Sequence, residues 1–125
     1  MWYKGVEKMK FYRFDREMRR DIQAFDSKNV GITPIIRKEG FTSAGCMHFD
    51  AGSVLGMHEA VGPQLFLVVD GEGWVRVEGE DKVPVSKGTA VFWTAGENHE
   101  SGSETGMAAI IIEGPDLNPE QYLKK

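Results

Sequence analysis

The sequence has a single cysteine, Cys46, so no internal disulfide framework holds the fold, and a lone free thiol fits a reducing compartment. Long apolar runs are missing as well. No stretch approaches the length that spans a bilayer, and the opening MWYKGVEKMKFYRF contains no continuous apolar core of a secretory signal. Positive charge is not in excess: 19 acidic residues against 15 Lys and Arg give a net charge of −4. That balance offers no basic footprint for nucleic acid or for an anionic membrane surface. Helical periodicity is scarce. Met18, Ile22 and Phe25, spaced i, i+4 and i+7, predict one short amphipathic helix or a surface-hugging loop. These absences predict a soluble, cytoplasmic chain. At 125 residues it is read as one domain, residues 1–125, with a single core.

Short extended runs fill most of what remains. Residues 11–14, 30–37, 43–49, 65–69, 74–77, 82–85, 90–93 and 107–112 read as strands. Glycine-bearing turns separate them: Asp70-Gly71-Glu72-Gly73, Glu78-Gly79-Glu80-Asp81, Ser86-Lys87-Gly88 and Ser101-Gly102-Ser103. The pattern predicts an all-β sandwich or barrel. An N-terminal extension covers residues 1–29, and a polar tail, with one helical turn after Pro119, covers 114–125. In residues 65–69 and 108–112 both alternating faces are apolar. A lone barrel has a wet outside, so this pattern predicts an added cover, and a homodimer is the favoured one over a second layer of the same chain.

Two spaced frames carry the most specific signal. Gly52, His58, Ala60, Gln64 and Gly71 form the first, over about residues 52–71. Gly88, Thr94, Gly96 and His99 form the second, over about 88–103. Together they resemble the paired motifs of the cupin family. The resemblance implies a double-stranded β-helix (jelly-roll) barrel. It also implies a metal site fed by two histidines and a glutamate from the first motif and one histidine from the second. His58 and His99 match that pattern. Ala60 stands where the second histidine belongs, and Gln64 where the glutamate belongs; Thr94 and Ser103 replace a usual proline and asparagine.

The chemistry implied is therefore reduced to His58, Gln64 and His99 as metal ligands, with His48 on the preceding strand as a candidate to fill the vacancy left by Ala60. Two imidazoles and an amide oxygen suit a divalent transition metal such as zinc, iron, manganese or nickel, held weakly because no carboxylate offsets its charge. An ion so held would attract a small anionic ligand. The alternative is a pocket that works without metal. Phe66 shares the face of Gln64 and is read as lining the barrel. Trp74, Trp93 and Arg76 are candidate ligand-binding residues, Arg76 as an anion clamp. No catalytic residue is assigned.

Three readings stand: a metal-dependent enzyme acting on a small organic acid, a metal-free module that binds or senses a small molecule, and a metal-independent isomerase or epimerase using a pocket histidine. The third ranks last, because no carboxylate lies in frame to orient a histidine base. Fold resemblance alone does not choose among them.

Overall fold

A computed structural model describes residues 9–37, 39 and 42–125. The first eight residues of the N-terminal stretch lie outside the described residues. Among the described residues there are eight strands: β1 (Arg20–Asp21), β2 (Lys28–Arg37), β3 (Ser43–Glu59), β4 (Gln64–Val77), β5 (Val83–Ser86), β6 (Ala90–Trp93), β7 (Asn98–Ser103) and β8 (Met107–Glu113). The two long strands close the barrel. The first part of β3, from Ser43 to Phe49, pairs with β8, and β8 in turn pairs with β4 from Gln64 to Gly71. Farther along, β4 from Trp74 to Val77 pairs with β7, which returns to β3 from Ser53 to Glu59. The circuit β3–β8–β4–β7–β3 links both halves of each long strand through a shared neighbour. β2 extends the sheet along β3, while β5 and β6 flank β4.

Several sequence expectations change against this architecture. Residues 11–14 form no strand, and Phe11, Tyr12 and Phe14 are exposed. The stretch through Met18, Ile22 and Phe25, read as a short helix or a surface-hugging loop, forms no α-helix: it holds 3-10 turns at Arg16–Met18 and Ala24–Asp26, with β1 between them. Phe25 and Asp26 take positive φ values of 60° and 55°, which no right-handed helix contains. Asp70-Gly71-Glu72-Gly73 is no turn. It is a bulged passage within β4, where the register shifts between Val68 and Asp70 and Gly71 adopts φ 73°. Ser101-Gly102-Ser103 is likewise strand, the end of β7. The turn after Pro119 is present as a 3-10 turn, Pro119–Gln121.

Val30, Phe49, Phe66, Val68, Val75, Trp93, Ala109 and Ile111 fill the inside and are buried. Outside, Leu65 pairs with Ile112 and Phe92, and Leu67 pairs with Ile110, which also faces Cys46. These residues form one apolar outer face on neighbouring strands, as the doubly apolar pattern of residues 65–69 and 108–112 implies. Cys46 is buried there, and burial pushes its thiol up, away from the reactive thiolate.

The N-terminal segment is tied to the barrel by charge. Asp50, on β3, accepts two hydrogen bonds from Arg16, at 2.6 and 2.7 Å, and two from Arg19, both at 2.9 Å. The two guanidinium forks hold the Asp50 carboxyl well below the usual carboxylate range.

Glycine makes β7 possible. A Cβ on Gly102 would lie 2.5 Å from the Ser53 carbonyl oxygen and 2.6 Å from Cζ2 of Trp74. A strand glycine here marks close approach by a neighbouring backbone. Gly102→Ala is therefore expected to force the β3–β7 pairing apart and cost about 1–3 kcal/mol, read as a lower denaturation midpoint.

Candidate functional site

His58 reaches the barrel interior because of one extra residue. Leu55 faces inward, so plain alternation would send His58 outward. Between the pairs Leu55–Ser101 and His58–His99, however, β3 contributes Gly56 and Met57 against the single Glu100 of β7. That bulge resets the phase and turns His58 inward, directly across from His99. Gly56 has a second duty. A Cβ there would overlap the carbonyl oxygen of Phe25, so its absence lets the N-terminal segment pass over the bulge. The Phe25 ring then stacks on His58 with centroids 4.7 Å apart.

A cavity of about 150 Å³ results, lined by His58, His99, Gln64, Phe66, Trp93 and Ser101 among others, and bordered on the N-terminal side by Ile22 and Phe25. Its rings form a continuous series. His58 and His99 lie 4.4 Å apart, and His99 stacks on Trp93 at 4.1 Å. Trp93 meets Phe66 edge to face at 5.5 Å. His99 is 1% exposed. Burial pushes its imidazole down to about 4; the neighbouring His58 acts in the same direction, and the Glu97 carbonyl opposes it.

Both histidines are oriented by backbone. The His58 Nδ1 lies 2.7 Å from the Gly56 oxygen, and the His99 Nδ1 lies 3.2 Å from the Glu97 oxygen. A carbonyl only accepts, so each ring donates Nδ1–H and keeps its lone pair on Nε2. That is the tautomer and the anchoring of a metal-ligating histidine. The amide of Gln64 adds a third neutral donor. Its Nε2 donates to Oε1 of Glu113 at 2.6 Å, which leaves the amide oxygen turned away from Glu113. The donor set thus fits a divalent metal held by His58 and His99 with Gln64. Among the described residues, no group of three or more His, Cys, Asp or Glu side chains is arranged to hold a metal ion.

Of the residues singled out in the sequence, His58, His99, Gln64, Phe66 and Trp93 come together in the cavity. His48 does not. Met47 lines the cavity, so its neighbour points to the opposite side of β3, where His48 Nε2 donates to the Phe14 carbonyl oxygen at 3.1 Å. It does not replace Ala60. Trp74 and Arg76 also stand outside. Val75, between them, is the inward residue. Trp74 packs over Gly102 under the Lys82 ammonium, 4.1 Å from the ring centroid. Arg76 is spent on Glu100 at 2.6 Å, so it is no anion clamp for this cavity.

Two cavity groups escaped the sequence reading. Ser101 lies in a run taken for loop and turn; its hydroxyl is buried and has no hydrogen-bond partner among the described residues. Glu113 lies one residue beyond the expected end of the last strand. The inward series Met107, Ala109, Ile111 continues to Glu113, so extending the alternation by one step would have found it.

No protein-family model matches the sequence, and no curated protein matches it. Solved structures do. A cupin-like protein from Thermotoga maritima is 21% identical, with a TM-score of 0.71 over 82% of each chain. The chain has the cupin fold. A predicted oxalate decarboxylase from the same organism is also 21% identical, with a TM-score of 0.69 over 82% of this chain and 96% of that one. An RmlC-like cupin from Methanocaldococcus jannaschii, described as a double-stranded β-helix, is 12% identical with a TM-score of 0.67, over 93% of this chain and 97% of that one. At these identities the likeness is one of fold, and cupins of this shape carry varied descriptions.

The buried, neutral His99 has a consequence for pH. Unfolding returns its ring to an ordinary value near 6.5, so the unfolded chain binds the proton more readily below that pH. Stability of metal-free protein is expected to be full above pH 6.5 and to fall progressively toward pH 4, by on the order of 3 kcal/mol. Urea titrations across this window should give that slope, and His99→Gln should flatten it.

Proposed function

We propose that this cupin barrel is a small-ligand pocket that takes a divalent transition metal on Nε2 of His58 and His99, with the Gln64 amide oxygen as third donor. The observation that supports it most is the cross-strand pairing of two histidines, each with Nδ1–H held by a backbone carbonyl. Zinc, iron, manganese and nickel are the metals to try, zinc, iron and nickel being well suited to imidazole. The ion would supply Lewis acidity, polarising a carbonyl or lowering the pKa of a bound water.

Such a metal also decides what else binds. No lysine or arginine lines the cavity among the described residues, whereas Glu113 does. Bare, the pocket offers acceptors and repels anions. A divalent ion on neutral donors keeps a net positive charge even with Glu113 beside it, and a small carboxylate becomes the favoured ligand. Acetate binding should therefore require metal.

A metal-free binding module is the second reading, supported by the aromatic walls of the cavity. A histidine proton shuttle has weaker support, since both Nδ1–H groups go to carbonyls and neither to a carboxylate. No helix among the described residues is long and apolar enough to cross a membrane. The buried free thiol of Cys46 supports a cytoplasmic setting.

Elemental analysis of untagged protein purified without chelator tests the first reading, with the double variant His58→Ala, His99→Ala beside it. Near-stoichiometric metal, lost in the variant, is expected. Wild type that is metal-free and takes up none of the four ions on dialysis would sink it in favour of the second.

The apolar outer face supports a homodimer as partner state. Sedimentation equilibrium should give a dimer mass, and Leu67→Lys with Ile110→Lys, paired on that face, should shift it to monomer. A wild-type monomer at micromolar concentration would end that proposal.

A further inference from the structure

The cavity has no carboxylate at the motif position, yet it has one beside it. Gln64 occupies the place at which the family pattern puts glutamate, and Glu113 arrives from β8, the strand paired with β4, at the partner position: Gln64 and Glu113 are directly opposed in the register. Their side chains meet at 2.6 Å, with the amide nitrogen donating to the carboxylate. The direction of this bond is chemically fixed. An acceptor-only carboxylate requires the amide to present N–H, so the amide oxygen is forced to the other side. Gln64 is 9% exposed and shares its strand face with Phe66, so burial limits the room in which its amide can turn.

Glu113 tolerates this place because it borders two spaces. It lines the inner cavity with His58 and His99, and it also lines an outer groove with Arg37, Pro63 and Gly114. One side of the carboxylate is thus engaged by Gln64 while the residue keeps contact with the outside, which spares the cost of a fully enclosed charge.

The structure assigns to Glu113 the role of positioning residue for Gln64: it fixes the amide so that the oxygen, and not the N–H, is presented to the ligand of the cavity. The assignment rests on the cation reading of the pocket. It explains how a glutamine serves at a position that asks for a donor oxygen. An unfixed amide would present either end, and its N–H end repels a cation. It also explains why the pair is one amide and one carboxylate. Two carboxylates in the same positions would oppose each other, and two amides would leave the orientation undetermined.

Calorimetric titration of Zn2+ into the full chain at pH 7, beside thermal melting of the metal-free variants, tests the assignment. Glu113→Ala should weaken Zn2+ binding about 10–100-fold, the usual effect of losing an orienting partner. Glu113→Gln should weaken it far less, because its side-chain oxygen still accepts the Gln64 N–H. Gln64→Glu alone sets two carboxylates together and should lower the melting temperature. Adding Glu113→Gln to it restores a donor–acceptor pair with reversed polarity and should raise the melting temperature again. Wild-type affinity in Glu113→Ala, or an exchange variant that melts no higher than Gln64→Glu, overturns the assignment. Wild type that takes no Zn2+ is a failure of the cation reading instead, and the melting comparison then decides by itself whether Glu113 fixes the amide.

Discussion

One extra residue in β3 governs the site. The bulge at Gly56 and Met57 opposes two residues of one strand to one of the next, and from there onward the inward and outward faces exchange. Without it His58 would lie on the outside of the barrel, and His99 would face an apolar wall. The same spot accepts the N-terminal segment, because Gly56 leaves room for the backbone of Phe25. The bulge therefore creates the histidine pair and seats the ring that covers it.

The rest of the molecule supports that arrangement. Ring closure through β8 and β7 fixes β3 against β4, so His58, Gln64 and His99 are carried on strands with few ways to move apart. The aromatic series from Phe25 to Phe66 lines the cavity with rings on one continuous wall. Burial holds the His99 imidazole below its ordinary value, hence ready as a donor at neutral pH. At the other end of the N-terminal segment, Arg16 and Arg19 converge on Asp50. Those ion pairs border solvent, so they orient the segment more than they stabilise the fold.

Much of this was legible beforehand, for a reason particular to each residue. His58 and His99 were found because each stands at a fixed spacing from glycines of its frame. Phe66 was placed correctly by simple alternation from Gln64. Trp74 and Arg76, offered only as candidates for ligand binding, stand outside the cavity, because β4 contains its own bulge after Val68, beyond which Val75 and not its neighbours faces inward. β7 was invisible as a strand because its residues, Asn98 to Ser103, are small or polar; closure of the ring gives them partners that propensity does not require.

The sequence by itself determined the all-β character, the turns at Gly79 and Gly88, the two histidines and the glutamine, and the doubly apolar strands. These follow from local chemistry: side-chain period, positive φ and composition. Tertiary structure decided the phase of each face, since a bulge is a relation between two strands. It excluded His48, which lies on the outer side of β3, and it brought Glu113 to Gln64 across 49 residues of chain. A carboxylate that far from the motif joins the site only because barrel closure pairs β8 with β4.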